Sequence, residues 1–434
     1  MLEESYFQNR LGDIYEYAPI KYMNGTGLLK YNNEKINTTW ELVISITGEI
    51  IFILSAYSNN YKVNFPLKMT DANRRFVNFQ FDGISKSSQW NIHVKELNVY
   101  KIKSNLINFI DNFFCIAKKI SLKKISKHCL EINNLTGLIY NFDFLEDPPY
   151  SEYIEVAESG TKTTKKIIDS IRFNYQNKDI IFKHIDDKVK IIDLLTIRRI
   201  DRALLSSINI PVLHNETIDD NNQLIKSITL LLSLINVNTS NTPIIYYLHD
   251  NEIVEINILD LVSSPYHRSV IIDNNHIHCG ISNFFEQILD KVSEFDSNYN
   301  LNVVLAGLQG MYEGKYLENK IASLVLLYEL ILTKYLKINQ PKLKNLEKKS
   351  VLQKIKLFND DFKFIGSDLL DDKLVRIEVR NNLFHLGYLP SLDSSQKIEF
   401  FQNYYDLLIQ IIFKILGYKG EYISPMNKEV KNIY

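Results

Sequence analysis

The 434-residue chain has few cysteines: Cys115, Cys129 and Cys279 are odd in number and follow no recognisable spacing. That excludes a disulfide scaffold and suits a reducing cytosol. Glycine (15) and proline (10) are scarce, as is alanine, while Asn, Ile, Lys, Asp and Tyr abound. This pattern reflects AT-rich coding DNA and points to no function of its own. Charge of one sign is also missing. Fifty Lys and Arg against 51 Asp and Glu leave a formal net charge of −1, so any basic footprint for nucleic acid has to be local. No apolar run reaches transmembrane length, and even SLVLLYELIL is interrupted by Glu329. The opening MLEESYFQNRLGD lacks a basic-then-apolar segment, so no secretory signal is expected. A soluble, cytoplasmic protein with no membrane partner follows, long enough for two or three domains.

The signals that are present begin with β structure. From Gly25 to about Tyr100 the chain reads as short alternating segments. GTGLLKY follows a glycine-rich turn, and TWELVISITGEIIFILSAY reads as two strands joined at Gly48-Glu49. FVNFQF and WNIHVKELNVY continue the alternation, which predicts an antiparallel sandwich or barrel. Residues 104 to 131 read as helical or mixed and carry Lys118, Lys119, Lys123, Lys124 and Lys127. Such a run is ordinarily a solvated face, and contact with RNA or a partner is the alternative. Strand-like patterns resume in TGLIYNFDF, IRFNYQ, KDIIFKHI and VKIIDLLTI, which allows a second β lobe divided from the first near 115–130.

Gln223 to Ile235 reads as a buried helix, and TPIIYYLHDNEIVEINILDL as a strand pair. In NHIHCG, His276 and His278 would share one side of a strand with Cys279 beside them, but no second ligand pair stands at a metal-site spacing. Ordinary polar positions at a domain junction are the expectation, with no metal and no cofactor. Beyond about Ser282 the pattern turns helical, with apolar stripes at i, i+3 and i+4 in successive segments, as in a bundle. The expected division is a β-rich region over 1–275 and a helical domain over 276–434, an α+β multidomain class.

One stretch in the bundle carries chemistry: DDKLVRIEVRNNLFHLGYLP, Asp371 to Pro390. Val375, Val379, Leu383 and Leu386 form an apolar stripe at helical period. Glu378, Asn381, Asn382 and His385 stand at i, i+3, i+4 and i+7, a polar stripe on one face. Adjacent asparagines are poor helix formers, so a merely solvated helix would use Lys, Glu or Gln instead. Gly387 reads as a C-cap and Pro390 as a stop, which leaves His385 in the last turn, where the helix dipole favours the imidazolium.

The run Arg380-Asn381-Asn382-Leu383-Phe384-His385 resembles the RxxxxH signature of the HEPN superfamily, including the polar residue after the arginine. The resemblance implies a metal-independent ribonuclease built on a C-terminal all-α bundle, working as a homodimer. It implies Arg380, Asn381 and His385 as catalytic residues. Glu329 is then a candidate to orient the arginine, although a helix-edge carboxylate is the plainer account. Combined with a sandwich-like β region that opens on a Gly-Thr-Gly strand and a Trp-led hairpin, the chain resembles the ApeA-type anti-phage proteins. That implies abortive-infection defence, with a nuclease silenced until a phage-derived trigger is sensed and then attacking host or phage RNA, tRNA included.

The residue types suit that chemistry. RNA supplies its own 2′-hydroxyl nucleophile, so cleavage needs a base for that proton and an acid for the leaving 5′-oxygen, both within reach of a histidine. A guanidinium is a planar two-pronged donor for the phosphorane. Asn381 lies i, i+4 from His385 and can bond the imidazole or the phosphate. Expected products are a 2′,3′-cyclic phosphate and a 5′-hydroxyl. Glu378 and Asn382 are supporting positions, and Lys348 and Lys349 stand in a basic stretch, Lys334 to Lys356, that could track phosphates. Two other readings stay open: a non-catalytic HEPN module that dimerises or binds RNA, and a binding protein whose β region recognises a phage component or a carbohydrate.

Overall fold

A computed structural model describes residues 21–31, 34–44, 50–57, 79–87, 89–105, 110–117, 119–125, 131–142, 150–157, 160–167, 170–185, 203–259, 270–274, 276–366, 382–383, 387–389 and 392–433. The chain is mixed α/β: a β-rich N-terminal region, part barrel and part sheet, is followed by C-terminal helices. It divides into two compact units. The first holds Met1–Asp143, Gln176–Lys226 and Ser240–Tyr266; the second holds Phe144–Tyr175, Ser227–Thr239 and His267–Tyr434.

In the first unit, β1 (Lys21–Tyr31), β2 (Glu34–Ile44), β3 (Ile50–Tyr57), β4 (Phe79–Ser85), β5 (Trp90–Asn105) and β6 (Ile110–Ala117) close a ring. β5 pairs β4, β4 pairs β1, β1 pairs β2, β2 pairs β3, β3 pairs β6, and β6 returns to β5, every pair antiparallel. The period-two alternation explains the inside: Trp40, Leu42 and Ile44 on β2 meet Phe52 and Leu54 on β3 and Phe81 on β4, all fully buried. Phe52 lies 6.3 Å from Trp40 and meets Phe81 edge to face at 5.4 Å. Burial of each such ring contributes about 1.5–3 kcal/mol. The expected hairpin of TWELVISITGEIIFILSAY is the β2–β3 pair, although Gly48-Glu49 lies outside the described residues.

The barrel continues into an open sheet through one shared hairpin. β5 faces β6 and then β7 (Lys119–Lys124) in continuous register, with Leu97 opposite Ala117 and Val94 opposite Ile120. The β6 half closes the barrel against β3. The β7 half pairs β15 (Glu252–Leu259), and the sheet runs on through β14 (Ile244–His249), β8 (Asn134–Tyr140), β13 (Leu204–Pro211) and β12 (Lys178–His184). Asp250 and Asn251, both at positive φ, make the two-residue turn of the expected β14–β15 hairpin.

Ile110–Ala117 and Lys119–Lys124, expected as helical or mixed, are therefore strands. In β6, Phe113 and Cys115 enter the barrel core, while Phe114 packs on the other face with Val43, Ile51 and Ile53. A strand covered on both sides reads as an unbroken apolar run, which periodicity cannot tell from a buried helix. The nearby lysines are held across strands: Lys123 pairs Glu255 at 3.1 Å and Lys124 pairs Glu252. Lys118 and Lys127 lie outside the described residues.

α1 (Ile218–Asn236) is the buried helix expected over Gln223 to Ile235. In the second unit β9 (Tyr150–Ala157) and β10 (Gly160–Ile167) form a hairpin, and β11 (Ser170–Tyr175) lies along α2 (Gly280–Ile288). Phe173 stacks on Phe285 at 4.9 Å, and Tyr175 donates to Asp290 at 2.7 Å. Then come α3 (Val292–Tyr299), α4 (Leu301–Glu313), α5 (Leu317–Asn339), α6 (Val351–Phe362), α7 (Ser394–Leu416) and a small hairpin of β16 (Gly420–Ile423) and β17 (Val430–Ile433). Ser350 with Gln353 starts α6, and Asp393 with Gln396 starts α7, each as a reciprocal capping box. Gly417 at positive φ ends α7. α5 buries Ile321, Leu324, Val325, Tyr328, Ile331, Leu332 and Tyr335, the stripe its sequence predicts. Among the described residues, no helix is long and apolar enough to cross a membrane.

Candidate functional site

Arg380, Asn381, His385 and Glu378 lie outside the described residues, so the described part of the motif is its frame. Asn382 and Leu383 are helical; Asn382 is half-buried and Leu383 buried. Gly387 sits at φ 76° and its N–H donates to the Leu383 carbonyl at 3.1 Å, the geometry of a residue just past a helix C-terminus. That is the capping role expected of it. Leu389 and Leu392 beyond it are buried, while Tyr388 is exposed.

The supporting residues are spread through the second unit. Glu329 is half-buried on α5, next to the fully buried Tyr328. Lys348 is exposed at the end of a short turn of helix over Leu346–Lys348, and Lys349 is half-buried just after it. Within the same basic stretch, Lys337 is engaged by Glu347 at 3.0 Å. Lys354 is only 4% exposed, so it belongs to the packing and not to a phosphate-tracking rim. His276 and His278 do not alternate along a strand. Instead, His276 turns back to Asp273 at 2.7 Å, and Cys279 takes a left-handed φ of 52° at the head of α2. Among the described residues, no group of three or more His, Cys, Asp or Glu side chains is placed to hold a metal ion.

The barrel wall carries a second candidate that the sequence reading did not find. A cleft of about 950 Å³ lies over β1 to β5. The register puts its floor on one face: Thr26 stands opposite Ile84, Leu28 opposite Asp82, Asp82 opposite His93 and Ile84 opposite Asn91. These positions alternate with Gly27, Gly83 and Ile92, which stand on the core side, where Ile92 is buried. Gly27 and Gly83 pair directly, and a Cβ at Gly27 would fall 2.3 Å from the Phe81 ring. The two glycines let the Phe81 and Trp40 side chains press up against the strands from inside.

Asp82 is the charged centre of that face. It accepts from Lys30 Nζ and from His93 Nδ1. Burial pushes the Asp82 carboxyl up, but the bonds and charges of Lys30 and His93 outweigh it and hold the group below the usual carboxylate range. The arrangement suits a hydrogen-bonding ligand laid across the strands. It was invisible in the sequence because Lys30 and Asp82 are 52 residues apart and meet only through the β1–β4 register.

No family model, curated protein or solved structure matches this chain.

Proposed function

We propose that the chain is a metal-independent endoribonuclease of an anti-phage abortive-infection system, with its HEPN-type site on the helix that ends at Gly387. The observation that carries this reading is the Arg380-Asn381-Asn382-Leu383-Phe384-His385 sequence, which ends two positions before a glycine at positive φ. In this reading His385 exchanges protons with the 2′-hydroxyl and the leaving 5′-oxygen, Arg380 clamps the phosphorane, and Asn381 holds the imidazole or a phosphate oxygen. The products are a 2′,3′-cyclic phosphate and a 5′-hydroxyl.

Arg380 and His385 are separated by about 140° around an ideal helix, so one copy does not aim both at one phosphate. A homodimer with two motif helices facing one cleft solves this. The exposure of Tyr388, three residues after His385, supports apolar contact there. The β-rich region then acts as sensor and restraint, and the cleft beside Asp82 is the place where a phage-derived trigger would bind. That same cleft favours a second reading, a recognition protein in which the helical part only dimerises.

Expression of wild type and His385→Ala in a bacterium, with total RNA and tRNA compared before and after phage infection, separates the two. Cleavage that appears only with wild type supports the nuclease. Protection that persists in His385→Ala without RNA cleavage supports recognition alone.

A further inference from the structure

The connection between α5 and α6 concentrates charge of one sign. Lys334 to Lys356 holds eight lysines and a single acidic residue, Glu347, in a chain whose formal net charge is −1. The structure sorts these lysines. Lys354 is buried, and Glu347 is committed to Lys337 at 3.0 Å. Lys342, Lys344, Lys348 and Lys349 lie within the connection itself and make no ion pair with any described residue.

That connection is folded, and its fold turns the charges outward. The N–H of Leu343 donates to the Gln340 carbonyl, that of Lys348 to Asn345 and that of Lys349 to Leu346. Leu346 is 5% exposed, and the Ser350–Gln353 capping box fixes the start of α6. Leu343 is half-buried and Val351 buried, whereas Lys342, Lys344 and Lys348 are exposed and Lys349 is half-buried. Like charges held on so short a segment repel one another. A partner carrying negative charges in series relieves that repulsion.

Two further observations narrow the partner. Leu343, Leu346 and Val351 all turn inward, so the connection offers no leucine or valine to insert among acyl chains, as a lipid surface would require. Gln340 to Ser350 contains no aromatic side chain on which a base could stack. What remains is charge, complementary to a phosphate backbone and indifferent to base identity.

We propose that Lys342, Lys344, Lys348 and Lys349 form a docking surface for the phosphate backbone of RNA. The choice of RNA as the source of those phosphates rests on the ribonuclease reading. The surface contributes affinity and takes no part in bond cleavage.

The test is fluorescence anisotropy of the full-length protein with a short labelled 2′-O-methyl oligouridine. This probe lacks the 2′-hydroxyl nucleophile, so it stays whole whether or not the protein is a nuclease. A 2′-O-methyl oligoadenosine of equal length, polyglutamate and phosphatidylserine vesicles are the other probes. One variant is Lys342→Ala/Lys344→Ala/Lys348→Ala/Lys349→Ala. The control is Lys35→Ala/Lys86→Ala/Lys95→Ala/Lys119→Ala, which removes the same charge from exposed positions of the first unit. If the first fails to fold, Lys342→Ala/Lys344→Ala, both exposed, takes its place.

The two oligonucleotides should bind alike. The fourfold variant should bind them about tenfold more weakly or worse, while the control stays near wild type. Each phosphate contact on a single strand contributes about 0.7 to the slope of log affinity against log salt, so losing four flattens it by about 2.8. No oligonucleotide binding, equal weakening in both variants or an unchanged salt slope overturns the proposal. So does tighter binding to polyglutamate or to the vesicles than to the oligonucleotides. None of these outcomes touches the ribonuclease reading, which stands or falls on RNA cleavage by wild type and His385→Ala.

Discussion

The hydroxyl of Tyr328 on α5 donates to the backbone carbonyl of Tyr404 on α7 at 2.6 Å, and the two rings meet edge to face at 6.2 Å. Tyr328 is 2% exposed, and burial holds its hydroxyl well above the usual tyrosine value, so it stays a neutral donor. This contact crosses the centre of the helical unit. Tyr328→Phe keeps the ring and deletes the donor, and should destabilise the protein by about 1–2 kcal/mol. Chemical denaturation followed by circular dichroism measures it; an unchanged midpoint would show that the carbonyl is equally well satisfied by its own helix.

Lys178, 3% exposed, is held by Glu216 at 2.5 Å and by Asn221 at 2.8 Å. Removing Glu216 strands the buried Lys178 charge, so Glu216→Gln should cost about 3–5 kcal/mol. The double variant Lys178→Met/Glu216→Gln should recover part of that, since neither charge remains. A double variant no more stable than Glu216→Gln alone would mean that the stranded ammonium is not the source of the loss.

The same pair sets an acid response. Burial pushes the Glu216 carboxyl up, but donation from Lys178, the Leu213 N–H and Asn221 holds it below its usual value of 4.5. A carboxylate with a depressed folded value stabilises above its unfolded value, and that share is lost as pH falls through the folded one. Stability measured from pH 6 to pH 3 should therefore drop less steeply below about pH 4.5 in Glu216→Gln than in wild type. Parallel curves would place the acid sensitivity elsewhere.

Gly27 should tolerate no side chain. A Cβ there meets the Phe81 ring at 2.3 Å and the Asp82 carbonyl at 2.5 Å, and the second neighbour is backbone that cannot step aside. Gly27→Ala should cost about 1–3 kcal/mol through overpacking. Gly387→Ala is a useful contrast. Among the described residues, no atom beyond its chain neighbours lies within 4 Å of its Cβ position, so the loss expected there comes from the positive φ. Equal melting curves for Gly27→Ala and wild type would show that the barrel wall can part.

On the ribonuclease reading, His385→Ala should lower single-turnover RNA cleavage by roughly 10²–10⁴-fold. Arg380→Lys should fail nearly as badly as Arg380→Ala, because a lysine keeps the charge but not the planar pair of donors. RNA affinity should change little in either. Near-normal cleavage by Arg380→Lys would reduce Arg380 to a positional charge. Cleavage that is lost in EDTA and restored by magnesium would remove the metal-independent mechanism.

Local chemistry was enough to mark many elements of this protein. Alternating Val and Ile identified the β2–β3 and β14–β15 hairpins, the i, i+3, i+4 stripes identified the helices after Gly280, and Gly387 announced a C-cap, because each depends on residues a few positions apart. What depended on distant pairing was hidden. β6 was unreadable because its two covers, the barrel core and the cluster of Val43, Ile51 and Ile53, come from elsewhere in the chain. The closed ring rests on β3 finding β6 and β1 finding β4, choices that hydrophobic alternation allows but does not make. The same holds for sites. Arg380 and His385 could be singled out because they share one short segment, whereas Lys30, Asp82 and His93 became a cluster only through the register of three strands. The tertiary structure alone decided which polar groups would meet, because strand register and packing join residues that lie far apart in the chain.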